Sequence, residues 1–343
     1  SFAHSEAFCV TKIMLFLRIL PIYRIRDGYK SVKDNNADII DKAADVIYDE
    51  VKLFLYPEAT HRTQHSLRQL SKGIFHIALK ANEDFGHEKP IYLVPTGIEY
   101  GDYFRYRNTA LVSFGEPINV TEYVNDHKGE NEAIIMNGLR EMLTERLAAK
   151  ISYIPDNEED YEAIWEMTKI KSGLKGSLEE RLERNQKTIK EILEWKEKEP
   201  EKAKETFEKV NKFIKKRKKK GISVTSVANN NIVATVLWKT LVALLGLPYY
   251  IVSAVANLPI WLLTILLKRS FKDKAWGNTI SFAVETILHP LMTTLCIVLT
   301  FCLLPWEIAA LSTLLFYFSY MYFVDFSEFL RKWISDVRWR LFR

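Results

Sequence analysis

In LFLYPEATHR, residues 53–62, an apolar run stops at Pro57. A carboxylate (Glu58), a hydroxyl (Thr60), an imidazole (His61) and a guanidinium (Arg62) follow within five residues. Carboxylate, imidazole and hydroxyl groups are the side chains of proton transfer and nucleophilic attack. A guanidinium holds phosphate or carboxylate through two parallel charge-assisted hydrogen bonds. Upstream, LPIYRIRDG supplies Arg24 and Arg26, and Lys72 stands ten residues beyond Arg62. Two readings fit the stretch: a strand that ends in a functional, anion-binding loop, or a surface turn that closes a core strand.

The surrounding elements read as alternating helices and strands. DNNADIIDKAADVIYDEV puts Ile39, Ile40, Ala43, Val46 and Ile47 on one helical face, with Asp and Asn at its start. KLFLY predicts a short buried strand. SLRQLSKGIFHIALKAN predicts a helix with Leu67, Leu70, Ile74, Ile77 and Ala78 inward. PIYLVPTGIEY and ALVSFGEPI, rich in branched and aromatic residues, predict strands, and NEAIIMNGLREMLTERLAAKI a closing helix. Residues 1–150 are therefore expected to form an α/β domain, a mostly parallel sheet flanked by helices. In such sheets ligands gather beyond the carboxyl ends of the strands, where YPEATHR would lie.

Residues 151–220 are dominated by Lys and Glu and predict a charged helical connector. Ser177 and Glu180 have the spacing of a capping box. Leu178, Leu182, Ile189, Ile192 and Leu193 make one stripe; after Pro200, Ala203, Phe207, Val210 and Ile214 resume it. Two amphipathic helices joined at Pro200 are expected, packed on the first domain or laid along a bilayer. Lys215, Lys216, Arg217, Lys218, Lys219 and Lys220 form an unbroken basic run. It is either a solvated helix end or a contact with anionic lipid, the latter adding about 1 kcal/mol per charge near the surface.

Residues 221–343 predict a helical membrane region. From Ile232 to Leu267 the one formal charge is Lys239, over a run longer than the ~20 residues of one crossing. Gly246 and Pro248 predict a break there and a short helical hairpin or re-entrant pair. Ile280–Leu304 and Ile308–Val324 predict a second pair turning at PWE. Basic residues stand before, between and after the pairs, so both hairpins are expected to enter from the cytoplasmic side. Glu285 and His289, one helical turn apart, form either a polar membrane site or the interfacial end of a helix.

The net charge of +5, from 48 basic and 43 acidic residues, is too small to point to nucleic acid, and no aromatic-basic stripe appears. Cys9, Cys296 and Cys302 have neither metal-ligand spacing nor the even count of a disulfide framework. Reduced thiols and a cytoplasmic setting are expected, with no bound metal or cofactor. No signal-peptide pattern opens the chain.

Read in order, LPIYRIRDG, YPEATHR and LVPTGIEY resemble the blocks of the glycerolipid acyltransferase family. That family includes lysophosphatidic acid (1-acyl-sn-glycerol-3-phosphate) and glycerol-3-phosphate acyltransferases. The resemblance covers about residues 1–125. It implies a membrane-bound O-acyltransferase of phospholipid biosynthesis. A hydroxyl of a glycerol-phosphate acceptor attacks an acyl thioester on coenzyme A or acyl carrier protein. It also implies that Arg24, with Arg26 nearby, holds the acceptor phosphate, although a salt bridge to Asp27 would suit Arg24 equally. Glu58 positions the acceptor, and Thr60 supplies a hydroxyl or caps the next turn. Lys72 adds positive potential or is solvated. Pro95 and Thr96 line the acyl-donor channel or merely end a core strand.

The sequence departs from the family at three points. Ala59 replaces the usual Gly and restricts the backbone. His61 replaces the usual Arg, which shifts the phosphate contact to Arg62 or shares it with His61. The family's His-x-x-x-x-Asp motif, His as general base and Asp orienting it, is absent: Cys9 stands where Asp would pair with His4. The family places that motif upstream of the first block, so it is expected before Ser1, on a chain truncated just after its catalytic His. A different class of function follows if the motif does not exist: a non-catalytic lipid-binding or scaffolding membrane protein on the same fold. A channel or transporter is disfavoured by the few polar residues of the apolar helices.

Overall fold

The structure, a computed structural model, describes residues 29–58, 64–86, 89–103, 106–173, 175–271 and 276–342, with side chains from residue 39 onward. The chain divides into two compact units. One runs through Ile98 and resumes at Val112–Asn157; the other comprises Glu99–Leu111 and Glu158–Arg343.

In the first unit α1 (Tyr29–Tyr48) and α2 (Gly73–Asp84) pack on each other, and α2 also touches α3 (Val120–Asp126) and α4 (Glu132–Ala148). The expected faces are used: Ala43 is buried on α1, Ile77 and Ala78 on α2. Phe75, Leu79, Ile91, Leu93, Ile118, Val120, Leu139 and Leu143 fill the core between these elements. Asn119 and Asn131 cap α3 and α4, accepting from Glu122 N–H at 3.2 Å and Ala133 N–H at 2.9 Å. Inside the core the Thr121 hydroxyl donates to Asn82 Oδ1 at 2.6 Å and accepts from Ile91 N–H at 3.0 Å. The buried Thr121 and Asn82 side chains thus satisfy each other locally.

The expected parallel sheet is not formed. Helix makes up 71% of the structure and strand 5%, too little for a sheet that helices could cover on both faces. Four short strands appear among the described residues: β1 (Tyr92–Leu93), β2 (Thr96–Tyr100), β3 (Ala110–Phe114) and β4 (Ile118–Asn119). They form two antiparallel pairs, β1 with β4 and β2 with β3. Proline explains part of the difference. Pro95 has no N–H to give a ladder, and it divides PIYLVPTGIEY into β1 and β2. KLFLY is not a strand: Phe54 is 70% and Tyr56 77% exposed, while Leu53 and Leu55 are half-buried. One covered edge of a single segment gives a parallel sheet no centre.

In the second unit α5 (Tyr161–Ser172), α6 (Leu178–Lys198) and α7 (Pro200–Lys219) pack as three mutually touching helices. Ser177 and Glu180 form the capping box, and Pro200 occupies the first position of α7. Leu182, Ile189, Ile192, Ala203, Phe207 and Ile214 are buried, with Ile164 of α5 against them as the helix that periodicity did not single out. After the short α8 (Val224–Val227) come α9 (Ile232–Ala256), α10 (Leu258–Ser270), α11 (Trp276–Leu303) and α12 (Trp306–Phe342).

Three of these, α9, α11 and α12, are long and apolar enough to cross a membrane, and the molecule is read as a membrane protein. The expected break at Gly246 and Pro248 is not there; α9 runs through both. Gly246 serves packing instead, because a Cβ there would collide with the Phe326 ring and the Tyr322 hydroxyl of α12. The chain turns at Asn257, where the Asn257 amide donates to Ser319 Oγ at 2.7 Å and Pro259 opens α10. The second pair turns at Leu304–Pro305, within the expected PWE region.

Candidate functional site

After the exposed apolar segment the chain turns at Pro57–Glu58 and returns at Ser71. Ser71 N–H donates to Pro57 C=O at 2.8 Å and closes the loop. Glu58, half-buried, accepts from Arg68 N–H at 3.4 Å through Oε2. Leu67 and Leu70 are buried, and His65 C=O accepts from Ile154 N–H at 2.7 Å, so the returning limb is fastened to the core.

Two of the sequence-derived residues adjoin the neck of this loop. Glu58 follows Pro57 and Lys72 follows Ser71, so both flank the hydrogen bond that joins the limbs. Lys72 is exposed, and its carbonyl accepts from Phe75 and His76 N–H at 3.1 Å each as α2 begins. A cation at the positive end of a helix is a setting that can hold an anion by charge.

Pro95 and Thr96 belong to a different feature. Pro95 is buried, its carbonyl accepts from Gly115 N–H at 2.7 Å, and Thr96 begins β2 with its hydroxyl 3.3 Å from Val94 C=O. Arg24, Arg26, Ala59, Thr60, His61 and Arg62 lie outside the described residues.

Two described histidines have structural partners. His76 lies 3.5 Å from Glu132 with both side chains well exposed, a surface ion pair rather than an oriented base. His127 Nδ1 is 2.8 Å from Tyr123 C=O, and its ring stacks on Tyr123 at 4.1 Å. In the membrane region His289 is set among the rings of Phe316, Tyr317 and Tyr320. Among the described residues no three His, Cys, Asp or Glu side chains are grouped to hold a metal.

The tip of the β2–β3 hairpin carries contacts that the strand pattern did not foretell. Tyr106 packs against Ile260, Ile280, Val284 and Tyr320, Asn278 donates to Tyr103 C=O at 2.9 Å, and Arg107 lies 3.5 Å from Asp325. Lys239 is likewise paired, 2.5 Å from Asp336. Its isolation in an apolar run was the visible signal, but only folding supplies the partner.

No protein-family model matches the chain, and no solved structure matches it. An uncharacterized acyltransferase of the fission yeast Schizosaccharomyces pombe is 27% identical over 124 residues, 33% of this chain. The chain spans 18% of the length of that relative. The likeness is to an acyltransferase, and it falls on a chain with apolar helices fit for a membrane.

Proposed function

We propose that this chain carries the acceptor side and the membrane region of an enzyme that moves a fatty acyl group from a thioester to a glycerol-phosphate acceptor. The donor is acyl-coenzyme A or acyl carrier protein, and the acceptor is lysophosphatidate or glycerol 3-phosphate. The observation that carries this reading is the order LPIYRIRDG, YPEATHR, LVPTGIEY in a chain similar to an acyltransferase. The loop closed by the Ser71–Pro57 hydrogen bond, which Glu58 and Lys72 flank in sequence, is consistent with it.

In this reaction the acceptor oxygen bonds to the thioester carbonyl carbon, the carbon–sulfur bond breaks, and the acceptor's proton passes to a base. Glu58 orients the acceptor's hydroxyls. Arg24, Arg26 and Arg62, with His61 when protonated, hold its phosphate, and Lys72 adds positive potential. Two such charge-assisted contacts, at about 1.5–3 kcal/mol each, fix the headgroup. The base in the acyltransferase family that the blocks resemble is the His of a His-x-x-x-x-Asp motif. The apolar helices keep lipid substrate and product within reach, with the basic segments and the first domain on the cytoplasmic side.

The test is an acyl-transfer assay of the protein expressed from its whole reading frame, with both acceptors and both donors. Transfer to either acceptor is expected. A second reading, a scaffold that kept the fold without the base, is favoured by the missing motif. An upstream stop codon together with no transfer would establish it in place of the enzyme.

A further inference from the structure

We propose that the end of α7 and the C-terminal half of α12 form one binding surface for the headgroups of anionic phospholipids. α12 has 37 residues, a length of about 55 Å, whereas a hydrocarbon core is about 30 Å thick. Its apolar part ends at Val324; Asp325, Glu328, Arg331, Lys332, Asp336, Arg338 and Arg340 follow. That half stands outside the hydrocarbon, at the level of the headgroups or beyond.

Folding merges it with a basic cluster far away in sequence. Phe213 of α7 meets Trp339 edge to face, Lys220 lies 4.3 Å over the Phe342 ring, and Ser223 N–H donates to Ser335 Oγ at 2.8 Å. The charges within the merged region are sorted. Arg217 and Lys239 turn inward and are neutralised by Glu166 and Asp336, and Lys218 pairs with Glu162. Arg331 occupies Glu328. Lys215, Lys216 and Lys219 are exposed and make no ion pair with any described residue, and Arg338 and Arg340 are exposed beside them on α12. The outward charge that remains is cationic.

Apolar exposure at the same level selects a lipid surface. Arg331, Ile334, Arg338 and Leu341 follow one another at helical spacing as an outward stripe, with Ile334 41% and Leu341 82% exposed. On α9, Lys239 and Thr240 contact Asp336 and Trp333, so the exposed Leu237, Trp238 and Leu241 stand at that level too. Water on every side would leave these side chains wet. At a bilayer interface they enter the acyl boundary while the cations meet phosphates. The inference does not depend on acyl transfer.

Native mass spectrometry of the detergent-purified chain, given equal phosphatidylserine and phosphatidylcholine, tests it. Phosphatidylserine is expected to be retained at least about fivefold over the neutral lipid, weakening at high salt. Replacing Lys215, Lys216, Lys219, Arg338 and Arg340 together with Gln should bring the two lipids to parity. Arg at the three lysine positions keeps charge and should keep the preference, which separates lost charge from lost fold. No preference in the native chain, or a preference that survives the five Gln, would overturn the proposal. So would an equal loss when Lys187, Lys190 and Lys204 of the bundle are changed instead.

Discussion

Glu58 stands at a closed neck, and the hydrogen bond it accepts from Arg68 N–H is long at 3.4 Å, so that bond contributes weakly. Glu58→Ala should leave folding unchanged and lower acyl transfer at least about tenfold, as loss of one charge-assisted contact implies. A thermal melt beside the assay separates the two effects. The residue types of the candidate site were legible in the sequence, which fitted both an anion-binding loop and a surface turn. The Ser71–Pro57 hydrogen bond that closes the loop was not legible, being a contact without periodicity.

At the scale of elements, the basic run illustrates how charge pattern and fold diverge. Five of its six cations point outward, as the sequence suggests, but Arg217 is buried against Glu166 at 2.6 Å and donates to Ile222 C=O at 2.8 Å. Removing one partner of a buried pair strands the other charge. Glu166→Ala is expected to destabilise the α5–α7 bundle by about 3–5 kcal/mol, seen as a lower unfolding midpoint, whereas Glu162→Ala on the exposed pair should cost under about 1 kcal/mol.

Lys169 is a second case. Burial depresses its pKa below the usual lysine value, Glu99 opposing that and Arg181 adding to it, and its ammonium lies 4.2 Å over Trp165. A lysine with a depressed folded pKa destabilises the fold fully below that pKa. The penalty fades as pH rises toward the unfolded value. Lys169→Met should therefore raise the melting temperature at neutral pH, with a gain that shrinks at alkaline pH; a gain constant with pH would remove desolvation as the cause. The capping box, Pro200 and the apolar stripes of α6 and α7 were legible because they are local. The parallel sheet was misread because strand pattern reports β-propensity and not pairing partners, and Pro95 and the exposed Phe54 and Tyr56 denied it pairing.

Across the membrane region, register settles what length alone leaves open. α9 runs antiparallel to α12, with Lys239 at Asp336, Tyr250 at Ser327 and Asn257 at Ser319. Its inner end thus stops about 20 Å short of the Leu304–Pro305 turn, thirteen residues of helix. On this register α9 and α10 are expected to dip in and return, and α11 and α12 to reach the far side. In sealed vesicles lacking the native cysteines, a cysteine at Pro305 should react with an impermeant maleimide from the side opposite Lys219, and one at Asn257 from neither. Labelling of Asn257 from the far side would make α9 a full crossing. The sequence placed the break of a hairpin or re-entrant pair at Gly246 and Pro248; the chain turns at Asn257 instead, because Gly246 looked like a breaker and is a packing site.

The central claim, acyl transfer to a phosphorylated glycerol bound at the Glu58 loop, is tested most directly by one comparison. The protein from its whole reading frame is given an acyl thioester with lysophosphatidate or glycerol 3-phosphate, beside its Glu58→Ala variant at equal abundance in membranes. The account predicts acylated product from the native protein and at least about tenfold less from the variant. Equal product from both, or none from either, would contradict it.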